Sequence, residues 1–249
     1  MTGPVDFGPS ARGPVARSPI DLCAHGESAW HAVAYRALGA GWREDGLLAR
    51  ATETVPHFLL LGAVTLAAGG SVPDDVPGIV CDSFARLTLP GRDAEPTGHW
   101  MIRDGGQHPV PHVPGLTIRP ALTDEDVTWF ETIAFLAADG HPPARPGELH
   151  PPGSQHLPGL TLLIGEIGGE GVGTALSVAT GRVNNIGAVT VMPAQRGRGI
   201  ASALTEAAIA LAPSVPATLS ATPAGRGVYQ RLGFTEVGRP LHHHPQSLA

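Results

Sequence analysis

From Ala188 to Ala210 the chain reads AVTVMPAQRGRGIASALTEAAIA. A β-branched strand, a proline turn, a glycine-arginine loop and an alanine-rich helix follow one another without a gap. This order sets a helix N-terminus at the end of a strand, which narrows the possible folds more than any other stretch does. The first N–H groups of a helix have no intrahelical acceptor and carry partial positive charge. A diphosphate placed over Gly199, Ile200, Ala201 and Ser202 would therefore meet aligned donors. Glycine at 197 and 199 suits a loop that turns sharply and lets a ligand approach its backbone. Arg196 and Arg198 add charges able to fork onto phosphate oxygens.

Two other phosphate loops fail on the letters. A nucleoside-triphosphate loop needs Gly-Lys-Ser/Thr, and the chain contains no lysine. A dinucleotide fingerprint needs a third glycine after Gly197 and Gly199, where Ser202 stands.

Arg196-x-x-Gly199-x-Ala201 resembles the pyrophosphate-binding motif of the GCN5-related N-acetyltransferase family, Gln/Arg-x-x-Gly-x-Gly/Ala. Further on, Tyr229-Gln-Arg-Leu-Gly233-Phe234 is similar to the second motif of that family, in the same order and after one helix and one strand. The resemblance runs from about Gly115 to Arg239. It implies an α/β fold with a mixed, mostly antiparallel sheet flanked by helices, and acetyl-CoA as cosubstrate without a metal. It also implies cofactor contacts from Val189, Thr190 and Val191 on the strand and from Arg196, Gly197, Arg198, Gly199, Ile200, Ala201 and Ser202 in the cradle. Thr222 stands where many members carry a cofactor-contacting asparagine.

The activity so implied is acetyl transfer to a primary amine of a small molecule or peptide by direct attack, with Tyr229 as general acid. A phenol of pKa about 10 stays protonated at neutral pH and can hand its proton to a departing thiolate. One amide of the Val189–Val191 strand would face the thioester oxygen. No carboxylate lies on that strand, so the base is open among Glu131, Glu166, His141, His150, His156 and ordered water. A non-catalytic acyl-CoA-binding sensor or interaction module is the alternative function.

Composition sets the outer limits. With 249 residues and 42% hydrophobic residues the chain can bury a sizeable core. A net charge of −6 with no basic run argues against a nucleic-acid surface. Phe58 to Ala68, interrupted by Gly62, is too short to cross a bilayer, and the start lacks a signal-like apolar core, so a cytoplasmic protein is expected. Cys23 and Cys81 have no metal-type spacing and read as buried thiols. His242, His243 and His244 are consecutive, and neighbours on an extended chain cannot all point at one ion, so no metal site is expected there.

Residues 1–19 read as a loose Gly/Pro-rich tail, 20–104 as an N-terminal α/β half, 105–114 as a linker, 115–240 as the acetyltransferase domain and 241–249 as a solvated tail. The N-terminal half is either a degenerate copy of the family fold or an unrelated cap. Within it a helix follows Ser18-Pro19 to about Leu38, with strands at Pro56–Leu66 and Ser83–Leu89. The second half alternates as strand 116–119, helix 123–138, a Pro/His loop, strands 160–166, 171–180 and 183–192, helix 199–212, strand 217–221, helix 223–232 and strand 234–237. Thr123 with Asp126 predicts a capping box and Gly140 a helix end.

Overall fold

The computed structural model describes residues 18–55, 57, 59–106 and 108–246. Most of the expected N-terminal tail, and the end of the C-terminal one, lie outside them. The first helix, α1 (Pro19–Ala37), opens on a full capping box: the Ser18 hydroxyl accepts from the Asp21 N–H, and the Asp21 carboxylate accepts from the Ser18 N–H. Pro19, at the first helical position, gives up only an N–H that would have had no partner. The short strands β1 (Trp42–Glu44), β2 (Leu48–Ala51), β3 (Leu61–Thr65), β4 (Ile79–Asp82), β5 (Arg92–Pro96) and β6 (His99–Arg103) come next.

After the Gly/Pro-rich segment come β7 (Leu116–Pro120), α2 (Asp124–Asp139), β8 (Leu160–Ile167), β9 (Glu170–Ala179) and β10 (Asn184–Val191). The chain closes with α3 (Ile200–Ile209), β11 (Ala217–Ala221), α4 (Arg226–Arg231), β12 (Thr235–Gly238) and β13 (Leu241–Pro245). Thr123 and Asp126 form the expected capping box, and Gly140 ends α2 in the left-handed region at φ 81°.

Two sheets result. The first runs β1-β2-β3-β4-β13-β5 and the second β12-β6-β11-β10-β9-β8-β7. Only β3–β4 and β10–β11 are parallel pairs; the rest are antiparallel, as expected for the fold. In the second sheet successive residues feed opposite cores. Leu163, Ala175 and Ile186 pack under Ile200, Ala203 and Leu204 of α3. Leu162, Ile164 and Leu176 meet Val127, Phe130 and Ile133 of α2 and Ala29 of α1 on the other face. Helices thus cover both sides of this sheet.

The sequence halves share strands. β6, which precedes the Gly/Pro-rich segment, sits between β12 and β11, while β13 at the far end of the chain sits between β4 and β5. Residues 241–245 are therefore a strand, not the solvated tail expected of them, and His243 is buried. The reason is non-local: β4 and β5 present backbone groups that need a partner, and Leu-His-His-His-Pro supplies it through Leu241↔Asp82 and Leu241↔Pro96 without any apolar alternation of its own.

The expected strand at 83–89 is also corrected. The Asp82 carboxylate accepts from the N–H groups of Phe84, Arg86 and Leu87 at 3.1, 2.6 and 2.7 Å, which winds that stretch into turns. The strand forms just before it, as β4. The expected strand at 56–66 shortens to β3, with Pro56 and Phe58 outside the described residues. Both cysteines are buried free thiols.

Candidate active site

The site is built on a fork in the second sheet. β10 and β11 pair only through Asn184↔Ala217 and Asn185↔Thr218, although β10 continues to Val191 and β11 to Ala221. On its other side β10 keeps pairing with β9, but with a bulge: Ala188 and Val189 stand between the rungs Gly187↔Leu176 and Thr190↔Thr174. Ala188 takes φ 46°, unusual for a residue with a side chain, and its carbonyl accepts from the Thr174 hydroxyl at 2.8 Å. That hydroxyl also lies 2.7 Å from Thr190 Oγ1. The bulge bends β10 away from β11 and leaves a slot that no strand fills.

At the end of β10 a single turn at Pro193–Gln195 leads into the glycine-arginine loop. Gly197 and Gly199 have φ 78° and 85°, which explains both glycines, and Gly199 is the N-cap of α3. A Cβ at Gly197 would meet no atom within 4 Å, so the loop surface there is open. Ala203 N–H is the first in α3 to reach back, to the Gly199 carbonyl at 3.0 Å, so the preceding amides of Ile200, Ala201 and Ser202 form the helix's unpaired start.

Arg196 bridges two elements that flank the loop. Its guanidinium donates to the carbonyls of Val191 at 3.1 Å and Ala137 at 2.8 Å, clamping the end of β10 to the end of α2. Arg198 is exposed and donates to the Gln195 side chain. Thr222 Oγ1 accepts from the Gly225 N–H at 3.1 Å in the turn before α4.

Tyr229 lies on α4 and packs against the α3-side core, its ring edge-on to Phe234 with centroids 5.9 Å apart. Burial pushes its phenol up to about 12.

On the opposite face of the sheet a cavity of about 340 Å³ opens where α1, α2 and the fork meet. Asn185, Ile186, Gly187, Ala188, Thr190 and Ser220 line it from the strands. Glu131 of α2 is fully buried, and its two carboxylate oxygens accept from the N–H groups of Gly147, Leu149 and His150 at 2.5, 2.9 and 2.9 Å. This pins the Pro/His loop over α2. His150 lines the cavity, and its Nδ1, 3.9 Å from Glu131 Oε1, has no hydrogen-bond partner among the described residues. Burial holds its ring down to about 4. Glu166 pairs with Arg119 at 2.5 Å, His141 bonds the Pro142 carbonyl, and His156 is in a short turn; none of these three lines the cavity.

Glu27 of α1 also lines this cavity, and sequence reasoning passed over it because α1 reads simply as an amphipathic helix. The available signal was Gly26, a helix-interior glycine that propensity disfavours. Among the described residues no group of three or more His, Cys, Asp or Glu could hold a metal ion, and no helix is long and apolar enough to cross a membrane.

Comparison with known proteins agrees with this geometry. Residues 154–244 match the model of the acetyltransferase (GNAT) domain. The match takes in β8 to β13, with the fork and the cradle. Among solved structures, a GCN5-related N-acetyltransferase from Kribbella flavida has a TM-score of 0.61 at 17% identity, covering 90% of this chain and 95% of that one. A GNAT-family structure from Novosphingobium aromaticivorans has a TM-score of 0.54 at 16% identity, over 91% and 97%. A conserved protein of unknown function from Staphylococcus epidermidis gives 0.52 at 13%, over 68% and 71%. A comparison with curated protein sequences gives no match.

The fold thus resembles that of GNAT proteins, with a mixed sheet forked beside a glycine-opened helix. Over residues 154–244 the chain is similar to the GNAT acetyltransferase domain.

Proposed function

We propose that acetyl-CoA lays its diphosphate on the amides of Gly197, Gly199, Ile200, Ala201 and Ser202, with Arg198 as the nearby exposed charge. Its pantetheine arm runs along Val189, Thr190 and Val191 into the fork. The thioester carbonyl then lies beside the β10 bulge, where a backbone amide stabilises the oxyanion as it forms. A primary amine in the adjoining cavity attacks from the α1/α2 face.

The relationship that carries this reading is the placement of Tyr229 and the cavity on opposite faces of the forked sheet. Attack from one face and departure of sulfur on the other suit a carbonyl held in the slot between them. Tyr229 gives its proton to the leaving thiolate. Its raised pKa keeps the phenol protonated throughout the neutral range. Arg196 acts by holding the two walls of the site together, as its two carbonyl partners indicate.

Two measurements test the reading. A thermal shift with acetyl-CoA reports binding to the folded chain. A thiol-release assay over a panel of primary amines reports transfer. Binding without release from any amine would support the non-catalytic sensor; absence of both would remove acetyl-CoA from the function.

A further inference from the structure

We propose that Glu27 is the general base of this reaction, and that the acceptor is a small primary amine with an apolar body, held between α1, α2 and the fork. The inference rests on the acetyl-transfer reading above and adds the acceptor half to it.

Placement comes first. A Cβ at Gly26 would overlap the Thr218 hydroxyl and stand 3.1 Å from Asn185 Nδ2. Asn185↔Thr218 is the last rung before β10 and β11 separate. Gly26 therefore seats the backbone of α1 directly on the crotch of the fork, and the next residue, Glu27, lines the cavity along with Asn185 to Ala188 and Ser220. A helix from the N-terminal half thus brings a carboxylate to the point where the family strand itself has none.

Charge comes second. Among the described residues no arginine lines the cavity, while Glu27, Glu131 and Asp139 do. Glu131 is committed to three backbone amides, and Asp139 sits at the exposed end of α2. Glu27 has His31 Nδ1 at 3.7 Å, but that nitrogen donates to the Glu27 carbonyl oxygen at 2.9 Å, and burial holds the imidazole down to about 4, so it is neutral. The groups facing Glu27 are His31, the buried thiols of Cys23 and Cys81, and, across the cavity, Glu131, His150 and Asp139. Among the described residues none of these supplies a fixed cation at neutral pH, so an ammonium group is the complementary ligand. Burial also pushes the Glu27 carboxyl up to about 7, which suits a group that must take up and release a proton near neutrality. His150, held near 4, is the weaker base.

Shape comes third. Trp30, Leu59, Phe135, Leu149 and Leu176 form apolar walls around these polar groups. A cavity of about 340 Å³ falls in the size range of small-molecule sites. An amine bearing one ring or a short branched chain would bury its body there and turn its nitrogen toward Glu27 and the bulge.

The protons balance. Glu27 carboxylate takes one proton from the ammonium, and the freed amine nitrogen bonds to the thioester carbon. The C–S bond then breaks and the thiolate takes the Tyr229 proton. The newly acylated nitrogen loses its extra proton to solvent, leaving the neutral amide, the tyrosinate takes one back from solvent, and Glu27 releases its proton to solvent.

The test uses the full chain, acetyl-CoA, and the probe amines benzylamine and 2-phenylethylamine, with spermidine as a cation lacking an apolar body. Wild type is expected to release thiol with the two aryl amines in preference to spermidine, with kcat/KM rising through about pH 7. Glu27→Gln is expected to lower kcat/KM by about 10²-fold or more and to move the rising limb toward the pKa of the amine itself. Glu27→Asp should restore part of the rate and the limb near neutrality. The thermal shift with acetyl-CoA should be the same in all three proteins, which also shows that the variants fold. If Glu27→Gln keeps both rate and profile, or if protein that binds acetyl-CoA acetylates neither aryl amine, the proposal is overturned and the acetyl-CoA site stands. If wild type shows no shift with acetyl-CoA, the underlying reading falls and takes this one with it.

Discussion

Arg103 and Glu206 form a buried two-pronged ion pair, Nη1 to Oε1 at 2.5 Å and Nη2 to Oε2 at 3.0 Å, that joins β6 of the N-terminal half to α3 behind the cradle. Arg103 Nη1 also donates to the Leu232 carbonyl at 2.8 Å, holding the end of α4. Removing one partner leaves the other charge buried without compensation. Arg103→Met is therefore expected to destabilise the fold by about 3–5 kcal/mol, and Arg103→Met with Glu206→Leu to recover much of that loss. Urea titration of the single and double variants measures both; a loss under about 1 kcal/mol in the single variant would deny the pair its role.

Gly199→Asp sets a negative charge and a side chain at the start of α3. It is expected to abolish the thermal shift with acetyl-CoA. Gly199→Ala is the control: its Cβ would lie 3.6 Å from Val113 Cγ2, and the change meets only the strain of φ 85°. That variant should lose about 1–2 kcal/mol of stability yet keep the shift. Equal loss of binding in both variants would point to backbone distortion and away from a phosphate site.

Tyr229→Phe keeps the ring packed against Phe234 and deletes only the phenolic proton. Turnover with a reactive amine is expected to fall roughly 10²- to 10⁴-fold, with the dissociation constant for acetyl-CoA little changed. Steady-state kinetics beside a binding titration would show the split. Unchanged kcat would remove Tyr229 from the mechanism.

Acid should destabilise this protein from about pH 6.5 downward. His31, His150 and His242 are each held down to about 4 by burial, so between 6.5 and 4 the unfolded chain takes up protons that the folded chain refuses. Their contribution is intact above 6.5 and lost as the pH falls toward 4. Glu27 opposes them, because its folded pKa of about 7 lies above the ordinary 4.5; its contribution is full below 4.5 and lost as the pH rises to 7. Three groups against one leave stability rising with pH over this window. Thermal melts from pH 4 to 7 should show that slope, and Glu27→Gln should steepen it; a flat profile would contradict the neutral, buried histidines.

What was legible in the letters was local. Ser18-Pro19, Thr123 with Asp126, Gly140, and the glycine pair at 197 and 199 each act through atoms a few residues apart, and α1, α2 and α3 begin or end where those residues direct. The long strands β8, β9 and β10 announce themselves by apolar runs deep enough to face a helix on either side. Strands of three to five residues such as β1, β2 and β5 carry too little pattern to be read.

The sequence by itself determined the cradle, because a left-handed glycine and a helix start need nothing beyond their own stretch of chain. Only the tertiary structure decided who shares the site with it. Gly26 and Thr218 are far apart in the chain yet touch at the fork, β6 and β13 exchange places between the sheets, and the Arg196 guanidinium reaches carbonyls at the ends of β10 and α2. Such choices are made by backbone groups and charges seeking partners across the whole molecule, and no local pattern encodes where those partners will stand.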